Sequence, residues 1–95
     1  MNKNNKRKLE DAWYRAFNSM NYNIVGIEDL DEKLKQEIQS KVQDIDKTEW
    51  WPVAENLLGL KPHIDEHQLA DDATTIFINN HFNTTSVKVY FKGGY

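Results

Sequence analysis

The chain of 95 residues has a formal net charge of −3 at pH 7, 39% apolar residues and no cysteine. This length and composition fit one folded domain over residues 1–95 with frayed ends at 1–5 and 93–95, and they exclude a disulfide-stapled secreted scaffold. The basic N-terminus lacks the apolar core of a secretory signal and no apolar run is long enough for a bilayer, so we expect a cytoplasmic protein without membrane contact.

The first predicted helix runs from Lys6 to about Met20. Its apolar residues recur mostly at spacings of three and four, which is typical of one buried helix face. They are Leu9, Trp13, Ala16, Phe17 and Met20. Asn21 and Asn23 end this helix, and the β-branched segment 22–27 is a candidate strand.

The second helix has the clearest pattern. Asp29 can cap its first turn, and Glu32 follows three residues later as in a capping box. The opposite face is polar, and we expect the helix to end near Asp46. Its buried stripe consists of Leu30, Leu34, Ile38, Val42 and Ile45.

A third helix is predicted from Pro52 to Leu58. Proline favours the first helical position, where its missing N–H costs nothing, and Gly59 is a typical helix terminator. Trp50 and Trp51 then stand at the entrance of a two-turn helix. Two adjacent side chains on one short element cannot both point inward, so we expect one tryptophan to stay partly exposed; the competing interpretation places both in the core.

A fourth helix begins at Glu66, because Asp65 and Gln68 resemble another capping box. The pattern leaves the end of this helix open. An apolar stripe continues to about Phe82, whereas the β-prone residues 74–78 favour a strand followed by a hairpin loop.

The C-terminal segment 85–92 is the best strand of the chain, because Val87, Val89 and Phe91 alternate with polar residues. A lone strand cannot satisfy its backbone, so it needs a partner, for which residues 74–79 and 22–27 are the only candidates; this need favours a small antiparallel sheet. We therefore predict an α+β fold, with three or four helices packed on a small antiparallel sheet that includes the C-terminal strand. A mostly α fold with a terminal β-hairpin is the alternative.

The segment from His63 to His67 has the pattern H-x-x-E-H of one class of zinc metalloproteases. Pro62 and the cap at Asp65 place His63 outside the helix, which removes the geometry that two histidines need to share a zinc ion. A weak metal site with Asp71 or His81 is the remaining alternative. Since the chain also lacks a nucleophilic triad and a glycine-rich phosphate loop, we predict no catalytic residue, no metal and no cofactor.

Charge is distributed unevenly along the chain. Residues 28–72 carry thirteen acidic groups against five lysines, a net charge of −8, beside the tryptophan pair. An acidic surface with an aromatic anchor suits capture of a basic protein. We therefore predict a non-enzymatic binding protein for a basic partner such as a toxin nuclease, as an immunity protein or a phage-encoded inhibitor would be. The predicted contact residues are Trp50, Trp51, Asp65, Glu66, Asp71 and Asp72.

The N-terminal segment supports an alternative. Residues 1–15 carry five basic groups against two acidic ones, a net charge of +3. Such a segment can contact nucleic-acid phosphates, which would make the protein a small DNA-binding regulator. The basic residues are not interleaved with aromatic residues, so nucleic acid is the less favoured partner. They are Lys3, Lys6, Arg7, Lys8 and Arg15.

Overall fold

A computed structural model describes residues 3–18 and 21–92, which form four helices and a two-stranded sheet. The elements are α1 (Lys3–Phe17), β1 (Tyr22–Val25), α2 (Glu32–Gln43), α3 (Lys47–Leu60), α4 (Glu66–Phe82) and β2 (Lys88–Phe91). β1 and β2 pair antiparallel, with Ile24 opposite Val89. The fold is therefore α+β, with helices packed on a small sheet that includes the C-terminal strand, as predicted.

The first helix begins at Lys3, three residues before the predicted start at Lys6. Residues 3–5, predicted to fray, belong to this helix, whereas residues 1–2 and 93–95 and the predicted helix end at Met20 lie outside the described residues. The apolar stripe is confirmed where it is described, since Leu9 and Ala16 are fully buried and Trp13 and Phe17 pack against the core.

α4 lies at the centre of the fold, because α1, α2, α3 and β2 all pack against it. It contributes Leu69, Ala73, Phe77 and Ile78 to the core. The interior faces of the other elements close around these side chains, and each buried aliphatic or aromatic side chain stabilises the fold by about 1.5–3 kcal/mol.

The segment 74–79, for which the sequence left helix and strand open, belongs to α4. The partner of the C-terminal strand is β1, at the second predicted position. Thr74 and Thr75 are among the β-prone residues that favoured the strand alternative. Strand propensity describes how well a side chain fits a half-buried surface, and contacts in the fold readily override it. Within α4 the two hydroxyl groups bind the Trp50 indole and the backbone of Val89 instead.

Aspartate side chains cap α2 and α4. Asp65 accepts the backbone N–H of Gln68 at 2.8 Å, which confirms the predicted start of α4. The predicted cap at Asp29 is wrong, because α2 begins two residues later, behind Asp31. The Asp31 carboxylate accepts the Leu34 N–H at 2.8 Å. Glu28, Asp29 and Asp31 crowd this turn, and residue type alone does not decide which aspartate adopts the extended backbone of a cap.

The predicted start of α3 at Pro52 is also wrong. The helix begins five residues earlier, behind Asp46, whose carboxylate accepts both the N–H and the hydroxyl of Thr48. Pro52 therefore lies inside the helix, where it removes one backbone donor at a solvent-exposed position. Gly59 likewise lies inside α3 and does not end it. The overlooked signal is Asp46 followed by Glu49 three residues later, which is itself a capping-box pattern.

Candidate functional site

Trp50 belongs to the core. Its side chain has no solvent exposure, and its ring makes edge contacts with Trp13 at 5.3 Å and Phe17 at 6.2 Å between centroids. The indole N–H donates to the buried Thr74 hydroxyl at 3.0 Å. The side chain of Trp50 is therefore part of the core and is not presented at the surface of the folded protein.

Trp51 is the partly exposed tryptophan of the pair. Lys47 lies one helical turn earlier, and its ammonium group sits 5.5 Å from the centroid of the Trp51 ring. The same ammonium group is 5.5 Å from the ring of Tyr14, which is 54% exposed. Trp51 therefore contributes to a small cation–aromatic cluster where α3 meets α1, and this cluster is accessible to solvent.

Asp71, another predicted contact residue, is buried, with 7% of its surface exposed. One carboxylate oxygen accepts the backbone N–H of Phe91 at 2.9 Å, and the other lies 3.6 Å from His67 Nε2. Burial raises the pKa of Asp71, while the Phe91 hydrogen bond and His67 oppose this shift. The Asp71 carboxylate thus binds the end of β2 to α4.

Asp71 is one of four polar side chains, spaced four residues apart on α4, that bind the outer edge of β2. The backbone N–H of Val89 donates to the Thr75 hydroxyl at 2.9 Å. The Asn79 side-chain amide binds both the N–H and the C=O of Val87. The Nε2–H of the His67 imidazole donates to the Phe91 carbonyl at 2.8 Å. We call these side chains the α4 ladder; they are His67, Asp71, Thr75 and Asn79. The α4 ladder provides hydrogen-bond partners for backbone groups on the edge of β2 that would otherwise be unpaired.

The H-x-x-E-H segment does not form a histidine pair on one helix face. His63 lies in the connector before α4, and the Nε2 of His67 is bound to the Phe91 carbonyl. Within residues 3–18 and 21–92, no three histidine, aspartate or glutamate side chains are grouped as metal ligands would be. His67 acts in the α4 ladder.

Three predicted contact residues remain at the surface near the start of α4. Asp65 is exposed, Glu66 and Asp72 are partly exposed, and Asp72 accepts a hydrogen bond from the Gln68 amide at 2.8 Å. Asp65 and Asp72 share one face of the helix with Ile76, since residues three or four apart lie in line. We call this line the α4 stripe; it comprises Asp65, Gln68, Asp72, Ile76 and Asn80.

An apolar groove borders the α4 stripe, and the sequence analysis missed it. Leu60 at the end of α3 is 73% exposed, and Ile76 is 38% exposed. Both line a groove of about 280 Å³ between α3 and α4. The other lining residues are Pro52, Val53, Asn56, Leu57 and Asn80. The local signal was weak, because Ile76 fits the predicted core stripe and only the packing of α3 shows that it faces outward.

The acidic groups of residues 28–72 stay largely at the surface. Twelve of the thirteen are exposed or partly exposed, Asp71 being the exception. Among the described residues only three of them form ion pairs, namely Glu32 with Lys35, Glu49 with Lys41, and Asp71 with His67. The negative charge is therefore not neutralised within the fold.

The five basic residues of the N-terminal segment do not form one surface. Lys8 is partly buried and donates to the Pro62 carbonyl at 3.4 Å, and Arg15 is partly buried as well. Lys3, Lys6 and Arg7 lie on the exposed face of α1 around a shallow depression of about 380 Å³. Tyr14, Glu10 and Asp11 line the same depression. Tyr14 is thus the one aromatic residue among the described residues of this depression, and Glu10 and Asp11 separate it in sequence from Lys3, Lys6 and Arg7.

The chain matches no protein-family model, and no curated protein or solved structure is significantly similar to it. None of the described helices has the length and apolar character that crossing a membrane requires. The indications of function therefore lie in the surfaces of the fold.

Proposed function

We propose that this protein is a non-enzymatic binding protein that covers a basic protein partner. The observation that carries the proposal is the position of Asp72 on the α4 stripe directly before the exposed Ile76, with the exposed Leu60 across the groove. An anchor of apolar side chains beside unneutralised carboxylates is the arrangement expected for recognition of a cationic surface that carries an apolar projection.

The two parts of this surface have different roles in binding. Carboxylates at the surface attract a cationic partner over a distance and accelerate encounter, but each solvent-exposed ion pair adds little affinity. Desolvation of Leu60 and Ile76 provides most of the affinity, because buried apolar contacts at the centre of an interface have the largest effect on binding. The sequence placed the anchor on the Trp50–Trp51 pair, whereas this proposal places it on the two aliphatic residues.

The favoured partner is a protein that itself binds nucleic acid, such as a toxin nuclease. Its active face must be cationic to hold phosphates, so an acidic protein that binds there competes with the substrate. A protein that works by such occlusion needs no catalytic group. This role is that of an immunity protein or of a phage-encoded inhibitor, acting in the cytoplasm.

The test uses the full-length chain as bait in lysate of the cells that express it. We expect capture of a protein with a high isoelectric point, in a stable complex, whose nuclease or toxic activity is lost in that complex. The association rate should fall as salt rises, because screening weakens attraction between exposed charges. Capture of an acidic protein, or of one whose activity is unchanged, contradicts the proposal.

Variants then locate the surface. Asp72→Lys should weaken the complex about tenfold or more, mainly through slower association, and Leu60→Ser should accelerate dissociation. Glu37→Lys on α2 is the matched charge control, and Tyr90→Ser on β2 is the matched control for loss of an exposed apolar side chain, since Tyr90 is 43% exposed. Equal effects of variants and controls would exclude the α4 stripe as the contact surface.

Nucleic-acid binding is the second candidate, because Tyr14 shares the exposed face of α1 with Lys3 and Arg7. Stacking of a base on an aromatic ring next to phosphate contacts is typical of single-strand binding. A fluorescent oligonucleotide titration checks this candidate. Binding must be lost in Arg7→Glu and in Tyr14→Ala, persist in the control Lys33→Glu, and decrease with salt.

A further inference from the structure

The two edges of the β1–β2 sheet differ in how their backbone groups are satisfied. On the outer edge of β2, the α4 ladder binds the N–H and C=O groups of Val87, Val89 and Phe91. Because these groups point towards α4, the facing pairs Ile24–Val89 and Tyr22–Phe91 are the non-hydrogen-bonded pairs between the antiparallel strands β1 and β2. The N–H and C=O groups of Tyr22 and Ile24 therefore point away from β2.

Within the described part of the chain, these outward groups of β1 have no hydrogen-bond partner. They face a groove of about 590 Å³. Its lining residues are Asn21, Tyr22, Asn23, Ile24, Gln39 and Gln43. The opposite wall is α2, which presents two glutamine side chains one helical turn apart, both exposed. One wall thus offers backbone donors and acceptors, and the other offers amide donors and acceptors.

We propose that this groove binds an extended peptide segment as a third strand of the sheet. One edge of the incoming strand would pair with the backbone of Tyr22 and Ile24, as in other complexes formed by strand addition. Gln39 and Gln43 would bind its other edge, in the same way that Thr75 and Asn79 of the α4 ladder bind β2. An amide side chain carries both a donor and an acceptor, which matches the alternation along a strand edge.

The chemistry of the groove favours an uncharged extended segment of a protein partner. No acidic or basic residue lines it, so a charged side chain directed into it would be desolvated without compensation. A second copy of this chain is the less suitable occupant, because its own β1 edge is bounded by its own α2. The groove lies on β1 and α2, away from the groove between α3 and α4, so this inference does not depend on the proposed function.

The probe is a synthetic, acetylated and amidated peptide of alternating threonine and valine, about seven residues long. Its matched control is the same peptide with an N-methyl group on every residue, which removes the N–H groups of both edges. We expect the unmodified peptide to shift the amide resonances of Tyr22 and Ile24 in ¹⁵N-labelled protein and to slow hydrogen exchange at the Ile24 N–H. The N-methylated peptide should do neither, because a strand that lacks N–H donors on both edges cannot complete the pairing with β1.

Variants on α2 test the second wall. Gln43→Ala should weaken peptide binding about tenfold, which corresponds to about 1.4 kcal/mol, whereas Gln36→Ala, outside this groove, should leave it unchanged. Three results would overturn the proposal. They are the absence of shifts up to millimolar peptide, equal binding of the N-methylated peptide, and Ile24 protection that appears only with concentration-dependent dimerisation, since a second copy then occupies the edge.

Discussion

The carboxylate of Asp71 accepts the backbone N–H of Phe91 at 2.9 Å, although the two residues lie twenty positions apart and both are buried. This contact joins the first half of α4 to the end of β2. It shows that an aspartate inside an acidic segment can be an internal ligand of the backbone. Charge counted along the chain therefore overestimates the acidic surface at this position.

Substitution of Asp71 should separate its hydrogen bond from its charge. Asp71→Ala leaves the Phe91 N–H buried and unpaired, so we expect a loss of about 1–3 kcal/mol in the free energy of unfolding. Asp71→Asn keeps an acceptor of the same size and should retain most of the stability. Urea unfolding at pH 7 measures both variants. Equal losses in the two variants would contradict the role of the acceptor.

The pH dependence follows from the raised pKa of Asp71, whose main cause is burial. A carboxyl group whose pKa is higher in the folded than in the unfolded state favours folding while it is protonated. Its contribution is complete below the unfolded value near 3.8 and is lost as the pH rises through the folded pKa. Asp65 and Asp72 add to this shift, and His67 opposes it.

We therefore expect the stability of Asp71→Asn relative to the natural chain to increase as the pH rises from below 4 towards neutrality. Paired urea unfolding curves at several pH values measure this difference, and groups common to both proteins largely cancel in it. A relative gain for the natural chain over the same range would mean that the Phe91 hydrogen bond and His67 outweigh burial.

The Trp50–Thr74 hydrogen bond is the second buried polar contact that holds α4 in place. Thr74→Val keeps the shape of the side chain but leaves the indole N–H unpaired, so we expect a loss of about 1–3 kcal/mol. Trp50→Phe removes the donor and some packing. In a double-mutant cycle, the double variant should be more stable than the sum of the single losses implies, by about 1 kcal/mol. Additive losses would show that the hydrogen bond contributes nothing.

The sequence predicts well the elements whose patterns are local. The alternation of Val87, Val89 and Phe91 with exposed residues and the cap at Asp65 were confirmed, because a strand face and a cap depend on residues close in the chain. The α4 ladder could not be anticipated. Thr75 and Asn79 bind β2 only after the chain has folded, and their sequence context resembles a strand and a turn.

The exposed residues of the candidate surface likewise depend on packing that the sequence pattern does not show. Only one tryptophan of the pair was expected to stay exposed, and the structure identifies it as Trp51. The choice depends on where α3 begins, which the sequence interpretation misplaced. Ile76 and Leu60 are exposed because α3 crosses α4 so that a groove remains between them. That crossing is a property of packing and has no counterpart in the spacing of apolar residues.

Two glycines should respond oppositely to alanine. Gly26 has a φ of +80°, and an added Cβ would collide with the backbone carbonyl of Ser86. Because both effects oppose folding, Gly26→Ala should cost more than about 2 kcal/mol. Gly59 lies in α3 with open space around it, so Gly59→Ala should stabilise by about 0.5–1 kcal/mol. Thermal unfolding checks both, and a tolerated Gly26→Ala would contradict the turn geometry.

Two neighbouring asparagines on α4 test whether the α4 ladder holds β2. Asn79 binds both backbone groups of Val87 and accepts from the Thr84 hydroxyl, whereas Asn80 lies on the exposed α4 stripe. Asn79→Ala should lower the free energy of unfolding by about 2 kcal/mol, since buried backbone groups lose their partners. It should also accelerate hydrogen exchange at Val87 beyond the change in global stability. Asn80→Ala should alter stability by less than about 0.5 kcal/mol, and similar exchange in both variants would show that β2 is held by its side chains alone.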